Sequence, residues 1–391
     1  MTGEPVYLDY AATTPVDPRV VEAMQKCLTS DGCFANPASI HIKGRQSADM
    51  VEQARERLAE LLGTTPEHLI WTSGATESNN LAIQGAARAR AHRGRHLVTM
   101  PTEHKAVVDT FKALEKEGFE VTWLKPETNG VLSLDALGAA IREDTQLVSV
   151  MHVNNETGVI QDIRSIGSLC RQHGVLFHTD AAQSVAKLEI DLSDLPVDLL
   201  SLTAHKFYGP QGIGALYVAE LTSGGISPLM FGGGQEKRLR PGTLPVHLVA
   251  GTGMAAAIAR KEMAANAVHV ATMRDRLWAG ISDVAGLTRN GSTDSAFAGI
   301  LNVSADGVEG ESLMLGMEPV CVASGSACNS ISGESSYVLR ALGRDDRQAQ
   351  SAVRFSFGHA TVAADIDVAI ERYRRTIDHL RAISPIRAAA S

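Results

Sequence analysis

From residue 47 to 220 the chain alternates segments of helical hydrophobic period with short apolar runs, a pattern that calls for repeated β–α–β units around a mostly parallel sheet. Met50, Val51, Ala54, Leu58, Leu61 and Leu62 fall on one helical face before Gly63, and Val107, Val108, Phe111 and Leu114 do so before Gly118. Each glycine suits the residue just past a helix end. Leu69-Ile70-Trp71, His96 to Thr99, Val121 to Leu124, Leu147 to Met151, Val175-Leu176-Phe177, Leu199 to Leu202 and Ile213 to Val218 read as strands. Their near-continuous apolar character fits strands covered on both faces, so the expected class is α/β.

After about residue 260 the texture changes to a long Ala/Met/Arg helix, then Gly299 to Val303, a Ser/Gly-rich stretch from Val322 to Ser336, and Val353 to Phe357. The expectation is a large domain over 15–260, with 1–14 and 261–391 forming a smaller α+β domain. With 391 residues, 44% of them hydrophobic, the chain can bury two such cores. A rigid helix and a substantial interface should join them, with the site in the cleft between.

The formal net charge of −8 argues against a general affinity for nucleic acid or anionic membrane, because no surplus of Lys and Arg exists to neutralise phosphates. Met1 to Pro5 lacks the basic start of a signal peptide, and the Ala-rich segment around Val249 to Ala259 is too short to span a bilayer, so the expected location is the cytoplasm. Five scattered cysteines without metal-ligand spacing make neither a disulfide framework nor a zinc site.

Polar clusters close several of the expected strands. Asp180-Ala181-Ala182-Gln183 ends one, and Thr203-Ala204-His205-Lys206 ends another, at the sheet edge where α/β proteins bind ligands. A carboxylate that can hold a ring nitrogen protonated, paired with a lysine that can form an imine, is the minimum equipment for pyridoxal phosphate. Most lysines, such as Lys105, Lys112 and Lys187, are read as solvated surface charges. Lys206 differs because it ends an apolar strand and precedes Phe207-Tyr208-Gly209-Pro210, which desolvates its amine. Ser73-Gly74-Ala75-Thr76 passes from strand into helix and offers free amides to a phosphate, although an ordinary capped turn has the same pattern. Thr203 and His205 could add donors. His104 at another strand end could stack on a flat ring or simply cap a helix. Asn155 could reach a phenolic oxygen or a substrate carboxylate, or serve only as turn chemistry.

Cys328 lies in Ser324-Gly325-Ser326-Ala327-Cys328, a small-residue loop with little to anchor it, which suits a nucleophile given a nearby base. The other four cysteines, in or beside apolar segments, read as packing residues. Arg354, alone amid Val353, Phe355 and Phe357, needs an anion, either a substrate carboxylate or a structural partner.

In this order the motifs resemble the cysteine desulfurases of the NifS/IscS type, in the class V aminotransferase group of fold-type I pyridoxal-phosphate enzymes. The resemblance runs from Leu8-Asp9-Tyr10-Ala11-Ala12-Thr13-Thr14-Pro15 through Thr72 to Asn79, Thr102-Glu103-His104, Met151 to Glu156, Asp180 to Ser184 and Thr203 to Lys206. It closes with Gly232 to Glu236, Gly242-Thr243, Glu309 to Ser312 and Ser324 to Cys328. It implies that Lys206 carries the cofactor and acts as base, that Asp180 pairs with the ring nitrogen, and that His104 stacks on the ring and moves protons. Asn155 and Gln183 would address the ring oxygen. Ala75, Thr76, Thr203 and His205 would hold the phosphate, joined by Thr243 from the second subunit of a homodimer. Arg354 and Asn155 would clamp the carboxylate of L-cysteine. Cys328 would take its sulfur as a persulfide, leaving alanine, and pass it to an acceptor protein for iron–sulfur assembly or for thiolation of tRNA or cofactors.

No metal is implied, beyond Cys328 as a transient ligand to an iron–sulfur cluster. The extent of the loop to Ser336-Tyr337-Val338-Leu339-Arg340 points to the IscS-type subgroup. Ala204, Pro241 and His359 depart from the residues common in the family, and the chain ends without the longer tail that some members use to engage a cluster scaffold. A selenocysteine lyase or a class V aminotransferase would share the cofactor residues. Cys328 speaks against the aminotransferase, which needs no nucleophile on a loop.

Overall fold

The computed structural model describes residues 5–220, 225–324 and 335–383. A seven-stranded sheet has the spatial order Leu69–Thr72, Gly214–Val218, Leu199–Thr203, Leu176–Asp180, Thr145–Ser149, His96–Thr99, Glu120–Trp123. Gly214–Val218 runs antiparallel to both its neighbours, and the remaining pairings are parallel. Six strands therefore point their carboxyl ends to one edge.

Alternate residues feed opposite faces, as the pleat requires. Val98, Val148 and Leu200 join one apolar cluster with Ala54, Leu58 and Val249, while Leu97, Leu147 and Leu199 join another with Leu81, Val107 and Phe111. Helices cover both faces, which is why the strands read as unbroken apolar runs. Buried histidines tie strands together through hydroxyls: His178 bridges Ser149 and Ser201 at 2.8 and 3.0 Å. Burial pushes its imidazole down to about 3, so it serves as a neutral strut.

Helix Ile42–Leu62 ends at Gly63, whose φ of 61° places it in the left-handed region that a helix C-terminus favours. Helix Val246–Ile281 is long enough to serve two cores. Val249, Ala250 and Ala255 pack in the large-sheet cluster, and Val270, Met273 and Leu277 pack in a second one. That second cluster lies under the antiparallel sheet of Leu287–Arg289, Ile300–Ala305 and Ala352–Ser356, covered by Ile366, Ala369, Tyr373 and Ile377 of helix Ala363–Ile383. Leu8, from the start of the chain, is buried in it too. No described helix is long and apolar enough to cross a membrane.

Two expectations fail. Cys321 is exposed, because the strand Val320–Cys321 has only two residues and turns Val320 inward. Lys187 is no surface charge: it is partly buried, and its Nζ donates to Gln183 Oε1 at 3.0 Å. The turn after Asp180 folds it back against the sheet edge.

Candidate active site

A cavity of about 530 Å³ opens at the carboxyl edge of the large sheet, lined by Ala75, Thr76, His104, Asn155, Asp180, Gln183, Thr203, His205, Lys206 and Arg354. Strand ends bring these residues together from five segments, and Arg354 arrives from the smaller sheet. Thr243 is exposed and does not line the cavity of its own chain. Cys328 lies outside the described residues.

Asp180 closes its strand, buried, with each carboxylate oxygen held. Asn79 Nδ2 donates to Oδ2 at 2.6 Å, and the Ala182 amide donates to Oδ1 at 2.9 Å. A carboxylate accepts about four hydrogen bonds, so acceptor capacity remains for a ring N–H. His104 caps helix Lys105–Lys116, its Nδ1 accepting from the Ala106 amide at 3.1 Å, which leaves Nε2 to carry the proton. Burial lowers its pKa against the pull of the nearby Asp180 carboxylate, and the Lys206 charge lowers it further.

Lys206 follows strand Leu199–Thr203, and its Nζ donates to the carbonyl of Ala12 at 2.9 Å and to that of Ala11. His205 beside it contacts Thr13 Oγ1 through Nδ1 at 3.0 Å, and burial, then the charges of Lys206 and Lys187, push it down to about 4. It is therefore a neutral group. Helix Ala75–Ala89 begins after Gly74, whose φ of 153° disfavours a side chain, and aims its first amides at the cavity edge beside Thr203. Glu77 braces this turn, accepting from the Ser73 amide at 2.6 Å and from Arg240 at 2.9 Å.

Arg354 is the buried cation at the other end. Its Nη2 pairs with Asp9 at 2.7 Å, its Nη1 donates to the Asn155 carbonyl at 2.8 Å, and its Nε has no partner among the described residues. Below it, Glu156 is buried and accepts from Ser336 Oγ at 2.5 Å; burial pushes its carboxyl up to about 7, against the Ser336 hydrogen bond and the Arg354 charge. Glu103 is buried more deeply and is pushed well above the ordinary range. Asp9, Asn79 and Glu156 are site residues to which no role is assigned from sequence, although each lies inside a quoted motif.

Together these residues fit a planar aldehyde bearing a phosphate. A helix start with hydroxyl and imidazole groups suits the phosphate, a satisfied carboxylate suits a ring nitrogen, and an amine resting on backbone carbonyls suits the aldehyde carbon. The Arg354 guanidinium, which lines the cavity and keeps donor hydrogens beyond its two bonds, then suits a second, carboxylate-bearing ligand.

The Aminotransferase class-V family model matches residues 6–368. The chain is 54% identical over 383 residues to the cysteine desulfurase IscS of Serratia proteamaculans (strain 568), covering 98% of this chain and 95% of that one. The cysteine desulfurase IscS of Shewanella sediminis (strain HAW-EB3) is 52% identical over the same shares. Among solved structures, a NifS-like protein superposes with a TM-score of 0.89 at 34% identity, covering 96% of this chain and 100% of the other. SspA in complex with cysteine superposes at 0.81 with 40% identity, covering 91% and 99%.

Proposed function

The chain belongs to the class-V aminotransferase family of fold-type I enzymes, and from that premise we propose that it is a pyridoxal-phosphate-dependent cysteine desulfurase. The observation that carries the reading is the convergence of Asp180, Lys206 and Arg354 on one cavity. The identity to IscS proteins over nearly the whole chain supports it.

When bound, the cofactor supplies an electron sink for charge released at the substrate Cα. The protein supplies everything around it. The amides of Ala75 and Thr76, with Thr203 and His205, would hold the phosphate, and Asp180 would keep the ring nitrogen protonated. Asn155 and Gln183 would address the ring oxygen. His104, whose pKa burial lowers, would stack on the ring. Lys206 is the covalent attachment point and then the base at the Cα proton. Arg354, which lines the cavity with donor hydrogens beyond its bonds to Asp9 and Asn155, receives the carboxylate of L-cysteine, with Asn155 beside it.

Cys328 as thiolate attacks the substrate sulfur. An S–S bond forms at Cys328, the substrate C–S bond breaks, its electron pair takes up a proton at the methyl carbon, and the proton that Lys206 removed returns to Cα to leave alanine. The sulfur then passes to an acceptor protein for iron–sulfur assembly or for thiolation of tRNA or cofactors. We place the working unit as a homodimer in which Thr243 completes the phosphate site of the partner subunit. The free thiols of Cys27, Cys33, Cys170 and Cys321 support a reducing compartment, the cytoplasm. We take the large domain as 15–260 and the small one as 1–14 with 261–391, the boundary falling inside helix Val246–Ile281.

The test is alanine release from L-cysteine in the presence of a reducing thiol. Wild-type protein should be yellow and active, and Cys328→Ala should stay yellow while losing turnover at least ~100-fold. Undiminished turnover in Cys328→Ala overturns the nucleophile assignment, and wild-type protein that releases no alanine overturns the reaction.

A further inference from the structure

Behind the cavity lies a lysine to which the reaction above gives no task. Lys187 Nζ donates to Gln183 Oε1 at 3.0 Å, and it sits 5.6 Å from the centre of the Phe297 ring. Gln183 is buried, and its Nε2 donates to the Ala11 carbonyl at 2.8 Å, the same carbonyl that accepts from Lys206.

The two ends of a carboxamide have the same shape, so its orientation follows from its partners. Here the partners agree. A backbone carbonyl only accepts, which draws Nε2 to Ala11, and a lysine amine donates, which draws Oε1 to Lys187. The flipped amide would set oxygen against oxygen and donor against donor. Nε2 carries two hydrogens, and Ala11 takes one. Gln183 lines the cavity, so the second N–H is what it can offer there.

We propose that Lys187 is a positioning residue: by holding Gln183 Oε1, it completes with the Ala11 carbonyl the lock that makes Gln183 present a donor, not an acceptor, to the phenolic oxygen of the cofactor. The proposal rests on the reading of this cavity as a pyridoxal-phosphate site. Burial, then the charges of Lys206 and Arg354, push the Lys187 amine down to about 7. Its N–H donates in either charge state, so the lock persists through neutral pH. A donor at the phenolic oxygen favours the anionic form of that oxygen, and its loss makes the bound cofactor hold its titrating proton more tightly.

The experiment is a pH titration of the visible absorption of the cofactor-loaded protein, without substrate. Lys187→Met keeps the aliphatic stem against Phe297 and removes the donor, and should raise the midpoint by about one unit. Lys187→Arg retains a donor and should return the midpoint to within ~0.3 unit of wild type. Lys187→Met added to Gln183→Ala should shift nothing further, because Lys187 acts through Gln183. Lys187→Leu gives the same reading should Lys187→Met not be recovered folded. An unmoved midpoint in Lys187→Met, or a shift fully additive with Gln183→Ala, overturns the proposal. Wild-type protein that gains no visible band with pyridoxal phosphate removes the functional reading itself, a separate failure.

Discussion

Asp180 and Arg354 are buried opposite charges on one cavity, yet they are held in different ways. Asp180 ends a strand with parallel neighbours on both sides, and its two oxygens are fixed by a buried amide and a backbone N–H of the same large-sheet unit. Arg354 stands on the small sheet, and its partners come from elsewhere: Asp9 from the start of the chain and the Asn155 carbonyl from a turn of the large unit. Its Nη1 and Nη2 each carry a second hydrogen beyond these bonds. A charge that keeps one ligand through every turnover is served by rigid partners from its own unit, with acceptor capacity left for that one ligand. A charge that must take and release a substrate is served by partners that leave capacity open.

The largest effect should come from the open end. Arg354→Lys replaces a planar fork by a point charge, and KM for L-cysteine should rise about 100-fold with a smaller change in kcat. The yellow colour should persist, since the Asp180 end is untouched. An unchanged KM would break the contrast between the two ends. Asn79→Ala tests the closed end: it strips one charge-assisted hydrogen bond from Asp180, costing about 1.5–3 kcal/mol. Faster loss of colour on dialysis and a lower Tm should follow, with KM less affected than in Arg354→Lys.

A third substitution sharpens the comparison through pH. Glu156, under the open end, has its folded pKa raised from the ordinary 4.5 to about 7. The folded state therefore binds the proton more tightly than the unfolded state does. Wild-type stability should fall as pH rises from about 4.5 to about 7, and stay level in this respect above it. Glu156→Gln removes that titration, and should exceed wild type by roughly 2–3 kcal/mol above pH 7 while losing the advantage near pH 4.5. Chemical denaturation at the two pH values reads it. An advantage independent of pH would show that Glu156 does not titrate there.

The strands of the large sheet and their order along the chain were legible because most are apolar runs buried on both faces, and helices such as Ile42–Leu62 because their apolar residues share one face ahead of a glycine. The residues at strand ends followed from that. Asp180 and Lys206 each close an apolar strand run, which by itself assigns both to one sheet edge. Their supporting groups could not be assigned in that way. Asn79 meets Asp180 across 101 residues, Ser336 meets Glu156 across 180, and Asp9 meets Arg354 across 345. Lys187 is four residues from Gln183, yet it reads as a solvated charge because its direction depends on an irregular turn. Cys321 reads as a packing residue because the two-residue length of its strand hides which neighbour turns inward.

Periodicity, strand-end chemistry and ordered motifs were thus enough to determine the class of fold, the edge that binds and the residue types that react. Tertiary structure decided which charges share a cavity, which are neutralised by burial, and which keep a bond to offer. The physical reason lies in range: the buried face of an element is written in neighbouring side chains, whereas desolvation and hydrogen-bond partnership depend on groups that only the folded chain brings within about 3 Å.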